Sequence, residues 1–458
     1  MNTLFEIINL AFKYWFVTLI LILVYFIFIG IFFYEEYKRK GTVRGQMVYK
    51  KQKKPDGECF KVGNLWIPLT AIIRHIFILA TSGAGKTSTF NEIIDNIIIR
   101  GKKAIIYDYT GDYIANFYDP DKDLILNAGD ERSLTWTLAN EINDEADLLS
   151  LAKSLIPEAN NSNEQHWREG ARNIFIALFE SLIKSKNATN ANLYRILAQD
   201  PEKIYEALSS LGYPQAVNLK REGHAADIMS TLSEFTLFLK YAADGDFSIK
   251  KWLADPGKRF IFVSNNPKIK EIQKPFLTLF IDFFAKTMLS MSKVENQEIR
   301  VFFLLDEFAT LYRLDSIKDL LTAGRAKGVA VLIGIQSVGD MDELYNENLR
   351  TSIINNCNNY CLLKTGDDKT TQVEANIIGT SEKWKKSVSS SHESYSENEQ
   401  TQIDYVVLPS DFSKLEDFTG YFKILTKWYE FSLKKEKYVE RPVVAEPFIA
   451  RKDLTYNN

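Results

Sequence analysis

A chain of 458 residues is long enough for two or three domains of ~100–200 residues each, and 46% hydrophobic with 25% charged residues is an ordinary globular composition. Lys+Arg 56 against Asp+Glu 59 leaves a formal charge of −3. This excludes a protein that coats nucleic acid through its overall field, so any such contact must be local, as on the inside of a ring. The three cysteines, Cys59, Cys357 and Cys361, form an odd and sparse set that suits a reducing compartment better than a disulfide framework, and Cys357/Cys361 lacks the second ligand pair a metal site needs.

The first element is apolar. Trp15 to Phe33 (WFVTLILILVYFIFIGIFF) carries no charge, and a helix of this length approaches the ~30 Å bilayer core, so one transmembrane helix is expected there. A signal peptide fits less well, because Tyr34-Glu35-Glu36 offers no small-residue cleavage site. Lys13 is the only basic residue before the span, whereas Lys38, Arg39, Lys40, Arg44, Lys50, Lys51, Lys53 and Lys54 follow it. That asymmetry predicts a cytoplasmic C-terminal body. The same basic run suits anionic headgroups or DNA.

His75 to Ala80 (HIFILA) then reads as a buried strand that runs into Ala80-Thr81-Ser82-Gly83-Ala84-Gly85-Lys86-Thr87 and a helix-like NEIIDNIII. This is a Walker A loop in its required context, with Ala80 where the first glycine usually stands. Thr81, Ser82, Gly83, Ala84, Gly85, Lys86, Thr87 and Ser88 are the expected nucleotide-binding residues. The glycines let backbone N–H groups face phosphates, Lys86 reaches the β- and γ-phosphates, the Thr87 hydroxyl ligates Mg²⁺, and the helix dipole adds to the cradle.

Strand-like runs follow at Ala104–Tyr107, Phe260–Val263, Val301–Leu305, Val329–Ile335 and Tyr360–Leu363, with helical patterns between several of them. The alternation predicts a doubly wound α/β core with a parallel-rich sheet. Residues 141–255 hold no convincing strand. Apolar stripes in 144–156, 170–184 and 224–242, punctuated by Pro157, Pro201 and Pro214, predict an inserted all-alpha domain. The expected division is an anchor over 1–36, a nucleotide-binding core over 37–140 and 256–458, and the insertion over 141–255.

The run Val301–Leu305 ends in Asp306-Glu307, a Walker B pattern. Asp306 is expected to hold Mg²⁺ through its water shell and Glu307 to orient the attacking water. Gln336, after the next strand, suits sensing of the γ-phosphate or lytic water, or is a plain polar strand cap. Arg325, in the turn 322–328, is either an arginine finger for a neighbouring subunit or an ordinary surface arginine. Lys385 to Gln402, polar and serine-rich, is expected to be a mobile loop ahead of a strand at Tyr405–Leu408.

With these motifs in this order, the chain resembles the TraD-type coupling proteins of conjugative type IV secretion systems, a branch of the FtsK/HerA-like P-loop motors. The resemblance covers about residues 40 to 450 and is carried by AIIYDYTGDYIANFYDP, DLILNAGDERSLTW, FFLLDEFATLYRLDSIKDLL, GRAKGVAVLIGIQSVGDMDELY and RPVVAEPFI. It implies a RecA-like core with an all-alpha domain, ATP and Mg²⁺ as cofactors, and a homo-hexameric ring on the inner membrane. It also implies delivery of relaxase-bound single-stranded DNA to the secretion channel, with relaxosome proteins as partners. Lys86, Thr87, Asp306, Glu307, Arg325 and Gln336 match the family's Walker, finger and glutamine positions.

Two departures are expected to matter. Family members usually have two spans, for which Leu4–Phe33 is too short, and the sequence ends soon after Arg451 without the acidic tail of some relatives. Cargo recognition is thereby open, with the helical insertion a candidate. Competing functions are a double-stranded DNA translocase of the FtsK/HerA type and an adaptor that uses nucleotide only for assembly.

Overall fold

The computed structural model describes residues 44–433 and 441–454, apart from 221, 267, 297, 392 and 393, together with 14–15, 19–20 and 22–31. In chain order the strands are β1 (Arg44–Gly45), β2 (Val48–Tyr49), β3 (Cys59–Val62), β4 (Leu65–Pro68), β5 (Ile76–Leu79), β6 (Lys103–Asp108), β7 (Leu124–Leu126), β8 (Phe260–Ser264), β9 (Val301–Leu305), β10 (Val329–Ile335), β11 (Asn359–Leu363), β12 (Thr380–Ser391), β13 (Ser394–Tyr405), β14 (Thr419–Ile424) and β15 (Lys427–Ser432). They fall into two compact units, one from Met1–Met47 and Ala375–Val407, the other from Val48–Glu374 and Leu408–Asn458.

In the larger unit one sheet runs in the order β2-β15-β14-β11-β5-β10-β9-β6-β8-β7. From β11 to β7 every pairing is parallel, and β14 and β15 extend the β11 edge antiparallel. The central strands are buried along their whole length, as a parallel sheet covered on both faces requires. Period-two alternation divides their side chains. Ile76, Ile78, Ile106, Phe302, Leu304 and Leu332 join Phe90, Ile94 and Ile97 of the helix Lys86–Ile99 in one core cluster. On the opposite face Phe303 meets Phe284 of the helix Lys270–Ser290, ring centroids 5.6 Å apart.

Between Glu145 and Ala254 the regular elements are all helical. Their starts follow capping chemistry: Asp144, Asn161, Thr189 and Ser248 each accept an amide hydrogen bond three residues on. Pro201 opens another helix. This stretch is sewn to the sheet layer. Trp136 packs edge-on against Phe280 at 5.2 Å, and its indole N–H donates to Glu141. Asp282, 1% exposed, accepts from the Ser154 hydroxyl, the Ser316 amide and the Ser316 hydroxyl, tying three helices together.

The chain closes with a strap, Arg441–Leu454. Arg441 pairs with Asp95 and lies over the Phe117 ring. The Val444 amide donates to Ala115 O, Arg132 donates to Glu446 O, and Arg451 donates to Ala128 O. Pro447 sits where a side chain on Gly111 would be, 2.8 Å from an ideal Cβ.

In the smaller unit, β12 and β13 form an antiparallel ladder from Thr380↔Tyr405 to Ser391↔Ser394, with β1 on the β12 edge. This corrects the expected mobile loop over 385–402. Apart from Val388 and Tyr395 the segment is polar, so it lacks the apolar alternation by which a strand is read from sequence. The expected strand at Tyr405–Leu408 is also corrected: only Tyr405 belongs to a strand, as the last residue of β13, and a short helix starts at Pro409. The expected span Trp15 to Phe33 lies partly outside the described residues. Those within it, 15, 19–20 and 22–31, are helical, with Leu23, Tyr25, Phe26 and Phe28 more than half exposed. Among the described residues no helix is long and apolar enough to cross a membrane.

Candidate functional site

The site forms at the carboxyl ends of β5, β9 and β10, which lie side by side in the sheet. The loop after β5 turns through Gly83 (φ 79°) and Gly85 (φ 111°), backbone regions that a Cβ disfavours. Around Gly85 there is also no room: an added Cβ would lie 3.0 Å from the Phe418 ring. The loop is fastened at two points. Thr81 N–H donates to Lys364 O at 2.9 Å, and Phe418 N–H donates to Ala84 O at 2.9 Å. Ala80 and Ala84 are buried, whereas Ser82 and Gly83 are exposed. Lys86 then opens the helix, whose first amides have no intrahelical acceptor and point toward the loop.

Lys86 is 5% exposed and ion-paired with both Asp306 and Glu307, the latter at 2.6 Å. The Gln336 amide donates to the same Glu307 oxygen at 2.7 Å. Lys86, Asp306, Glu307 and Gln336, 250 positions apart at the extremes, thus form one chain of contacts. Thr87 and Ser88 lie half-buried on the first helical turn beside it. One ammonium facing two carboxylates leaves negative charge uncompensated. The Thr87 hydroxyl and Asp306 carboxylate supply only oxygen donors, so charge and donor type both fit a hard divalent cation such as Mg²⁺.

Glu307 is held in a left-handed conformation, φ 56°, which costs an L-residue ~1–3 kcal/mol unless its surroundings enforce it. Thr310 enforces it: its amide and its hydroxyl both donate to Glu307 O, at 2.9 and 2.7 Å, and its hydroxyl is 2.8 Å from the Tyr107 phenol.

Arg325 stands apart. It lies in the helical turn Gly324–Lys327 that precedes β10, whereas Gln336 follows β10. The full strand, ~20 Å at 3.3 Å per residue, separates it from its own chain's site. Near it, His75 is buried and locked, with Nε2 3.0 Å from Leu321 O and Nδ1 accepting from the Val331 amide at 3.1 Å. Burial, and then the charge of Arg325, push His75 down to about 4 against the upward pull of the Leu321 bond.

Three residues of the site were not singled out from sequence. Gly334 of β10 leaves space for the machinery: a Cβ there would come within 2.9 Å of both Asp306 Oδ1 and the Phe90 ring. A glycine inside an apolar strand was the available signal. Tyr113 donates to Asp306 Oδ2 at 2.7 Å, and Thr310 holds Glu307. Both lie inside the motif stretches but carry no spacing rule that marks them.

Fold and loop together define a P-loop α/β protein. The pattern described as the type IV secretion-system coupling protein DNA-binding domain matches residues 60–433, and the chain belongs to that family. It is 26% identical over 422 residues to the coupling protein TraD of Escherichia coli (strain K12), covering 89% of this chain and 58% of TraD. Over 249 residues it is 22% identical to the protein VirD4 of Agrobacterium fabrum (strain C58 / ATCC 33970), 50% of this chain and 36% of that protein. The chain thus spans less than two thirds of the length of these relatives. Its fold matches the plasmid coupling protein TrwB in complex with the non-hydrolysable ATP analogue ADPNP, with a TM-score of 0.78 at 22% identity over 89% of this chain and 97% of that one.

Proposed function

We propose that this chain is an ATP-driven motor that delivers relaxase-bound single-stranded DNA to a conjugative type IV secretion channel. The observation that carries the reading is the contact chain Lys86–Asp306–Glu307–Gln336 beside a glycine-bent loop and a helix N-terminus. Lys86 exchanges its carboxylate partners for the β- and γ-phosphate oxygens of ATP, which frees Asp306 and Glu307 for their own tasks. Thr87 and Asp306 hold Mg²⁺, which supplies charge stabilisation to the phosphates when bound. Glu307 orients the attacking water and accepts its proton, and Gln336 fixes the Glu307 side chain. The backbone amides of 83–87 receive the phosphate oxygens.

Arg325, remote from its own site, completes the nucleotide site of the next subunit in a homo-hexameric ring. The division into an anchor over 1–36, a RecA-like core over 37–140 and 256–458 and an all-alpha domain over 141–255 is part of the same reading, with relaxosome and channel proteins as partners. One span over 15–33 holds the chain in the inner membrane with its body in the cytoplasm, supported by the exposed apolar side chains of 22–31 and the basic residues after them.

The test is ATP turnover by the full chain in detergent, without DNA, with single-stranded and with double-stranded DNA. Single strands are expected to stimulate it most, and Lys86→Ala to abolish it. Equal or stronger stimulation by duplex would favour a double-stranded DNA translocase. Conjugative transfer sustained by Glu307→Gln would favour an adaptor that uses nucleotide only to assemble.

A further inference from the structure

Asp306 has two oxygens, and the structure gives each a different owner. Oδ1 faces Lys86 and the Glu307 amide, while Oδ2 accepts the Tyr113 phenol at 2.7 Å. Tyr113 is 2% exposed and packs edge-on to Phe90 on the P-loop helix, ring centroids 6.3 Å apart. One buried hydroxyl therefore holds the carboxylate that, with the Thr87 hydroxyl, presents oxygen donors to a cation.

The position of Tyr113 is itself enforced. It lies in the helix Asp112–Phe117, which follows β6 through Gly111 at φ 88°. The fully buried carboxylate of Asp108, at the end of β6, accepts the amides of Gly111 (2.9 Å) and Ile114 (2.8 Å). Pro447 of the closing strap fills the space over Gly111. A helix of two turns is pinned at its start from inside and outside, and this fixes the direction in which its first aromatic residue points.

We propose that Tyr113 is the positioning residue for the divalent cation of this site. Its phenol holds the Asp306 carboxylate in one rotamer, so that Oδ1 and the Thr87 hydroxyl present a preformed pair of oxygens. The inference rests on the nucleotide-site reading above. Partners of this kind, which touch the ligands and not the metal, typically contribute 10–100-fold to metal affinity.

The test is titration of Mg²⁺ into the full chain with mant-ATP, reading mant fluorescence, for the wild type and Tyr113→Phe. The phenylalanine keeps the ring against Phe90 and removes only the hydroxyl. The expected result is a Mg²⁺ midpoint raised about tenfold or more, with mant-ATP affinity in EDTA unchanged and the melting temperature without nucleotide close to wild type. An unshifted midpoint would overturn the proposal. So would equal weakening with and without Mg²⁺, which marks general damage to the pocket. Asp306→Asn and the double variant add a second check: the proposal requires that removing the phenol adds no further midpoint shift once the carboxylate is gone, and additive shifts refute it. If Tyr113→Phe is unstable, Tyr113→Met, which fills the space without a hydroxyl, is titrated in its place with the same outcomes deciding. A wild type that fails to bind mant-ATP at all would instead strike down the nucleotide-site reading.

Discussion

Lowering the pH should release the amino-terminal end of β10 through one residue, His75. Its ring is 1% exposed and spends both nitrogens, donating to Leu321 O and accepting from the Val331 amide. Protonation would put a second N–H against a backbone N–H and a charge near Arg325. With a folded value of about 4 against 6.5 unperturbed, the ring between those two pH values is neutral in the folded state and protonated in the unfolded one. Stability from this group is therefore complete above pH 6.5 and is lost as pH falls from 6.5 toward 4. At ~1.4 kcal/mol per pH unit the full difference is on the order of 3 kcal/mol, most of it gone by pH 4.5. Other buried groups titrate as well, so the informative quantity is a difference. Urea midpoints for wild type and His75→Gln at pH 7.5, 6.0 and 4.5, followed by circular dichroism, should show the wild type losing roughly 2–3 kcal/mol more than the variant over this range. Parallel pH profiles for the two proteins would refute the reasoning.

Gly334→Ala should lower ATP turnover about 10–100-fold while the fold persists, because the new methyl displaces Asp306 and Lys86 by a few tenths of an ångström or more. Steady-state ATPase and circular dichroism check it, and wild-type turnover would show that the crowding is relieved elsewhere. Glu374 is buried, with the Thr365 hydroxyl as its one donor among the described residues, and desolvation pushes its carboxyl up to about 9. An acid raised in the fold loses stability as pH rises above its unfolded value, so Glu374→Gln should stabilise the protein at pH 8 by up to about 4 kcal/mol and much less at pH 5. A gain that does not vary with pH would contradict the burial argument. For Arg325, mixtures of Arg325→Ala and Lys86→Ala proteins should regain ATPase activity that neither has alone, once subunit exchange is demonstrated. Activity at the parental level in proven mixed assemblies would leave Arg325 without a role in a neighbour's site.

How much of this was legible in the sequence depends on whether a feature is local or topological. Buried strands such as Val301–Leu305 announce themselves as unbroken apolar runs, and the Walker-type loop sits at a strand–helix junction that its glycines demand. From those alone Lys86, Asp306, Glu307 and Gln336 could be named, and the sheet order brings them together. Strand β14 carries the alternation of a half-buried strand, Phe422 and Ile424 inward and Tyr421 and Lys423 outward, but like β15 it is only six residues long and its signal is weak. The β12–β13 ladder has almost no apolar residues to alternate. Tyr113 and Gly334 act through where β6 and β10 end relative to β9, which no spacing along the chain encodes.

The strand order has a consequence for how the protein is made. β5, which leads into the P-loop, lies between β10 and β11, and neither exists until about 250 residues after β5 has left the ribosome. At ~5–20 residues per second the interval is roughly 10–50 s. During it the four apolar residues of β5 have no sheet neighbour on either side, while the helices of 145–254 can already pack among themselves. Closure of the sheet around β5 is therefore a late step. The strap over Gly111 is later still, so the helix that carries Tyr113 is clamped from outside only after the sheet has closed.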